Sequence, residues 1–126
     1  MKSSYVTVAC VLGFAGVALG AFGAHALTSI TTASRLETWA TAVDYHLFHT
    51  LAILALSALF GGKTSVWLQR ALFAFTTGIF VFSGSLYVLV ITDVGILGAV
   101  TPIGGVLLLM GWICAFAASR ELADND

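Results

Sequence analysis

Four long stretches of the chain contain no charged side chain, and this pattern predicts its architecture. Asp, Glu, Lys and Arg are absent from residues 3–34, 45–62, 71–92 and 94–119. A helix that crosses about 30 Å of hydrocarbon needs roughly 20 apolar residues. The pattern therefore predicts an all-α membrane protein with one domain over residues 1–126. Its four transmembrane helices, expected over residues 5–27, 39–60, 68–91 and 100–118, form a compact antiparallel bundle.

The composition agrees with a chain embedded in lipid. Hydrophobic residues make up 60% of the 126 positions and charged residues only 9%, whereas about 25% of the residues of a soluble domain are charged. The formal net charge is -1 and no basic stripe is present, which argues against nucleic acid as a partner. The lipid bilayer is the expected partner, and a homo-oligomer or a second membrane protein remains open.

Positive charges predict the orientation of the bundle. Only Arg35 falls on one side of the predicted helices, while the other lysines and arginines fall on the side of the termini: Lys2, Lys63, Arg70 and Arg120. Because Lys and Arg concentrate in cytoplasmic loops, both termini are expected in the cytoplasm. Trp39 then falls near the outer interface, where an aromatic belt is expected.

Small residues recur on one face of the first helix. Gly13, Gly16, Gly20 and Gly23 are spaced three or four residues apart, and small residues at this spacing let membrane helices approach closely. They predict a packing seam, either within one bundle or between copies of the chain. The later helices add further packing positions: Gly84, Gly104 and Gly105.

Polar residues of the predicted spans cluster in their outer halves. Each of the four helices contributes, and together these residues predict an outer-side polar pocket for a lipid-like ligand or a partner helix: His25, Asp44, Tyr45, His46, His49, Ser83, Ser85, Tyr87 and Thr101. Ionisable groups inside a membrane are costly and therefore indicate a functional site. For Ser83 and Ser85, the favoured interpretation is that of hydroxyls that help the helices pack.

Helical geometry divides the segment Asp44–His49. At about 100° per residue, Tyr45, His46 and His49 share a face and Asp44 points away from it. Asp44 is expected in the first turns of its helix, where the helix dipole favours an anion. Thr101 is expected to cap the fourth helix, with Pro102 at its first position.

The three histidines leave two interpretations open. His25, His46 and His49 form a metal, haem or proton-binding site if they converge, or they hydrogen-bond to neighbouring helices without any cofactor. Cys10 and Cys114 are expected to be small buried hydrophobic residues. No pairing of nucleophile and base indicates an enzyme, so a non-enzymatic accessory or envelope-stabilising protein is expected. A small transporter is a further alternative.

Four motifs resemble one known family. The segments GAFGAHAL (20–27), ETWATAVDYHLFHTLAIL (37–54), FSGSLY (82–87) and TPIGG (101–105) are similar to the domain of unknown function 423 family. This family comprises small four-span membrane proteins of bacteria, with transmembrane relatives in eukaryotes. The resemblance implies an integral protein of the bacterial cytoplasmic membrane. It implies no activity, no cofactor and no catalytic residue.

The predicted topology is testable with cysteine labelling. In a chain whose native cysteines are replaced, single cysteines at Lys63 and Asp93 are expected to react from opposite sides of the membrane, Lys63 from the cytoplasm. A membrane-impermeant maleimide applied to intact cells measures this. Labelling of both positions from one side would contradict the four-span topology.

Overall fold

A computed structural model describes residues 2–125, with side chains from residue 4 onward. Its four long helices are α1 (Lys2–His25), α2 (Ala33–Leu59), α3 (Val66–Thr92) and α4 (Thr101–Asp124), and short 3-10 turns occupy Leu27–Ser29 and Gly95–Ala99. All four helices are long and apolar enough to cross a membrane, and no strand occurs within the described residues. The predicted all-α bundle of four spanning helices is confirmed.

The two ends of the bundle are held by different polar contacts. At one end, here called the Arg35 end, the Arg35 guanidinium contacts the Asp93 carboxylate at 2.9 Å and so joins the start of α2 to the end of α3. At the opposite end, here called the Lys63 end, Ser65 caps α3 and its hydroxyl donates to Glu121 of α4. The side of the membrane that each end faces stays a prediction.

Helix α2 begins earlier than the charge pattern predicts. Thr32 caps it by accepting a hydrogen bond from the Arg35 backbone N–H at 3.2 Å, so Ala33 is its first residue. Asp44 therefore lies about three turns, or roughly 16 Å, along the helix. The first turn of α2 contains no acidic residue. The placement of Asp44 in the first turns, with stabilisation by the helix dipole, was wrong.

The start of α4 also differs from the prediction. Thr101 does not cap the helix, because it is already the first helical residue, and Val100 precedes it without a side-chain hydrogen bond. The Thr101 hydroxyl instead lies 2.7 Å from the Ser85 hydroxyl of α3. Thr101 therefore joins two helices rather than satisfying the backbone of its own helix.

The glycine seam of α1 packs against α2 of the same chain. A Cβ atom at Gly13 would touch Thr50, one at Gly16 would overlap Leu47, one at Gly20 would press on Val43, and one at Gly23 would overlap the Trp39 indole. The seam is therefore used within the bundle. Gly104 similarly brings α4 onto the Phe82 backbone of α3, and Gly105 makes an ordinary contact with the Phe82 ring.

One predicted packing position and one predicted interface aromatic were assigned wrongly. A Cβ atom at Gly84 would meet nothing within 4 Å, so Gly84 is not a packing residue. Trp39 is only 2% exposed and its indole N–H donates to the Leu19 carbonyl at 2.8 Å, so it is not part of an aromatic belt facing the lipid. The hydrogen bond to another helix draws this side chain into the bundle.

The cysteine prediction was also wrong in part. Cys10 is exposed on the lipid-facing side of α1, and Cys114 is half-buried. The buried core is instead built from aliphatic and aromatic side chains of all four helices, with Ile53, Leu72 and Phe75 fully enclosed.

Glycine substitutions test the packing of α3 on α4. Gly104→Ala is expected to lower the free energy of unfolding by about 1–3 kcal/mol, because the new methyl group would overlap backbone atoms that cannot rotate away. Gly84→Ala, a matched change in open space, is expected to leave stability unchanged or slightly raised. Thermal unfolding in detergent, followed by circular dichroism, measures both variants. Equal stability of the two variants would contradict the packing.

Candidate functional site

A groove of about 660 Å³ lies between α2 and α4, with Phe82 of α3 at its floor. Its walls are mainly aromatic and aliphatic, and α2 contributes four side chains in the sector from Asp44 to His49. The residues that line it are Asp44, Tyr45, Phe48, His49, Phe82, Pro102, Gly105, Val106, Leu108, Leu109 and Trp112. Phe48 and Leu109 are more than half exposed, so the groove opens sideways toward the lipid.

Asp44 and Tyr45 present polar atoms to the groove that nothing in the bundle satisfies. Within the described residues, neither the Asp44 carboxylate nor the Tyr45 hydroxyl makes a hydrogen bond, and Asp44 has no ion-pair partner. The Tyr45 ring stacks on Phe82, with ring centroids 4.5 Å apart. Asp44 was predicted to point toward the side of Phe48 and not to pair with a histidine, and the structure places it beside Phe48 in the groove with no hydrogen bond to a described histidine. A groove with two helical walls receives side chains from a wide sector of α2.

His49 closes the groove toward the Lys63 end. The Trp112 indole N–H of α4 donates to His49 Nε2 at 3.1 Å, and His49 Nδ1 lies 2.8 Å from the Tyr45 carbonyl. An indole N–H only donates and a carbonyl only accepts. The partners therefore assign a neutral ring with its proton on Nδ1, and both ring nitrogens are occupied.

His46 points away from the groove, toward α1 and α3. Its Nε2 lies 2.8 Å from the Leu12 carbonyl, which must accept, and its Nδ1 lies 2.9 Å from the Tyr87 hydroxyl. The neutral ring thus donates to α1 and accepts from α3. Gly16 follows Leu12 by one helical turn, and a Cβ atom there would lie 3.4 Å from His46 Cδ2. The missing side chain leaves the carbonyl accessible.

The three histidines do not converge on one point. His25 is exposed at the end of α1. The His46 ring points toward α1 and α3 and the His49 ring toward α4, and every ring nitrogen of both is engaged. Among the described residues, no group of three His, Cys, Asp or Glu side chains is close enough to hold a metal ion. The hydrogen-bonding interpretation of His46 and His49 matches their geometry.

The two serines act in helix packing. Ser83 donates to the Ala42 carbonyl of α2 at 2.7 Å, and Ser85 bonds to Thr101 of α4. Of the nine side chains predicted for one pocket, the structure brings only three to the groove. The other six lie elsewhere: His25, His46, Ser83, Ser85, Tyr87 and Thr101.

Several groove residues carry no polar signal in the sequence. In the sequence, Phe48, Phe82 and Trp112 look like ordinary lipid-facing or core aromatic residues. They meet in one cavity only because α2, α3 and α4 pack together. Gly105 lines the groove beside Phe82. The sequence feature that could have indicated Gly105 as a groove residue was the TPIGG segment, which contains it.

A pair of tyrosine variants tests the hydrogen bond between α2 and α3. Tyr87→Phe is expected to lower the free energy of unfolding by about 1 kcal/mol, because His46 Nδ1 loses its donor inside the membrane. Tyr45→Phe removes a hydroxyl that has no partner in the described bundle. It is expected to lower the free energy of unfolding by less than Tyr87→Phe does. Chemical unfolding in mixed micelles measures the difference. A larger loss in Tyr45→Phe would contradict this assignment.

Comparison with known proteins identifies the family. A UPF0382 membrane protein of Staphylococcus aureus is 38% identical over 94% of this chain and 97% of its own length. The corresponding protein of Haemophilus influenzae is 42% identical over 90% of both chains. A UPF0382 inner membrane protein of Escherichia coli is 40% identical over 97% of this chain and 94% of its own. These names describe membrane proteins and no enzymatic activity.

The family model agrees with these relatives. No solved structure matches the chain, but the model described as protein of unknown function (DUF423) matches residues 19–105. That range contains all four of the segments on which the resemblance rests. The chain therefore belongs to the DUF423 family of membrane proteins.

Proposed function

We propose that this protein is a non-enzymatic component of the bacterial cytoplasmic membrane that binds a lipid-like molecule in the groove between α2 and α4. The observation that carries the proposal is the groove itself, about 660 Å³ in volume and lined mainly by apolar side chains. Ligand sites are typically concave and apolar with a few polar groups that orient the ligand. We assign it an accessory role in the cell envelope.

The length of the groove supports a lipid rather than a partner helix. It extends along α4 from Pro102 to Trp112, which is about 15 Å of helix. That distance is half of a hydrocarbon core about 30 Å thick. A transmembrane helix from another protein would need a seam through both leaflets, whereas a lipid chain occupies one. The Trp112–His49 hydrogen bond closes the groove after this distance, which corresponds to the end of a lipid chain near the middle of the bilayer.

The chemistry of the groove does not favour catalysis. His49 is the histidine that lines it, and both of its ring nitrogens are engaged by Trp112 and the Tyr45 carbonyl. A general base must be within hydrogen-bond reach of the proton it removes. No serine, threonine or cysteine lines the groove beside it. The remaining polar groups, on Asp44 and Tyr45, are suited to holding a head group.

A substitution that fills the groove tests this function. A Cβ atom at Gly105 would make ordinary contacts of 3.8 Å with Phe82, so Gly105→Leu is expected to fold and to extend its side chain into the cavity. Native mass spectrometry of protein purified in mild detergent is expected to show bound phospholipid on the wild type. The occupancy of Gly105→Leu should fall by about tenfold, as expected for a loss of 1.4 kcal/mol.

The matched control is Gly84→Leu. Gly84 lies on α3 in open space and does not line the groove, so this variant is expected to retain the lipid. Equal lipid occupancy in the wild type and both variants would refute the groove as the binding site.

A further inference from the structure

We propose that Asp44 selects the occupant of the groove, and that this occupant is a lipid whose head group carries an ammonium ion. The inference rests on the proposed function, because it names the chemical class of the ligand for the same groove. It starts from Asp44, the one carboxylate among the described residues that line the cavity. The described bundle provides no hydrogen-bond or ion-pair partner for it.

The position of Asp44 makes its lack of a partner costly. Asp44 lies about 13 Å along α2 from Arg35, which sits at the end of the bundle in an ion pair with Asp93. The head-group region on each face of a bilayer is only about 5–8 Å thick. With Arg35 at the aqueous surface, Asp44 therefore falls within the hydrocarbon region. Acidic residues at such positions pair with another group and mark binding sites.

The described cations of this chain are not available to Asp44. Arg35 is committed to Asp93, Arg70 covers the Trp67 ring at 4.9 Å, and the remaining described ones lie toward the Lys63 end of the bundle: Lys63 and Arg120. A second copy inserted in the same direction would carry its charges at the same depths, so it would bring none to the level of Asp44. The complementary charge therefore comes from a different molecule.

The walls next to Asp44 suit an ammonium ion. The rings of Tyr45 and Phe82 are stacked beside it and Phe48 lines the adjacent wall. Aromatic faces attract ammonium groups, most strongly where water is excluded. An anionic head group in the same place would meet the Asp44 carboxylate directly. Carboxylate and rings together thus favour a cationic head over a neutral or anionic one.

The mouth of the groove gives such a head group access. Helix α4 begins at Thr101, which hydrogen-bonds to Ser85 of α3. Ser85 lies about two turns before the end of α3 at Thr92, so α4 starts deeper in the bundle than α3 ends. Residues 93–100, which connect the two helices, do not line the groove. The head can therefore enter from the Arg35 end, while the chain lies along Leu109 and Trp112.

Photoaffinity labelling in membranes tests the inference. Two alkyl probes with the same diazirine-bearing chain are compared, one ending in trimethylammonium and one in a hydroxyl group. In the wild type, the ammonium probe is expected to label groove residues such as Phe48 and Leu109 about tenfold more strongly at low concentration. In Asp44→Asn this preference is expected to disappear, while the alcohol probe labels as before.

Two further variants control for indirect effects. Asp44→Glu keeps the carboxylate and is expected to retain a preference for the ammonium probe. Glu37→Gln removes an exposed carboxylate about two turns closer to the Arg35 end and is expected to change neither probe. Loss of preference in Glu37→Gln would indicate a general surface-charge effect and overturn the role of Asp44.

The remaining outcomes separate the inference from the proposed function. Equal groove labelling by both probes in the wild type would overturn the ammonium selectivity and leave the lipid groove intact. Labelling by neither probe in membranes or in detergent would overturn both. Labelling in detergent but not in membranes would mean that another protein covers the groove in the cell, and would overturn the lipid assignment.

Discussion

Hydrogen bonds from side chains of α2 to backbone carbonyls of α1 hold the first half of the bundle together. His46 donates to the Leu12 carbonyl and Trp39 to the Leu19 carbonyl. The two acceptors are about two turns apart on α1, and the two donors are about two turns apart on the antiparallel α2. Water is absent from the hydrocarbon, so each polar side chain buried there needs a partner within the protein. The two bonds therefore fix the register of α2 along α1.

Glycine makes these bonds possible. In a helix, the carbonyl of each residue is flanked by the side chain one turn later. Gly16 and Gly23 stand one turn after Leu12 and Leu19, and a side chain at either would overlap the α2 residues beside it. The small residues thus allow close packing and expose an acceptor at the same time, which adds directional bonding to the packing expected of a small-residue seam.

Once the register of α2 is set, its remaining polar groups separate into two classes. His46 and His49 are satisfied by their neighbours and contribute to structure: His46 links three helices, and His49 joins α2 to α4 through Trp112. Asp44 and Tyr45 stay without polar partners in the described bundle and face the groove instead. The buried Ser57 hydroxyl also lacks a hydrogen-bond partner. Asp44 and Tyr45 are the polar groups of α2 to which we assign the ligand, and the proposed site occupies the wall that they line.

The sequence by itself determined the number of helices, their membrane character, the family and the glycine seam, because these depend on composition and local periodicity. It did not determine the direction of each polar side chain. The start of α2 at Ala33 depends on the Thr32 cap, and it moved Asp44 from the first turns into the interior of the helix. The separation of His46 from His49, the Trp112–His49 bond and the groove depend on where α3 and α4 pack. These contacts join residues far apart in the chain, so only the tertiary structure decided them.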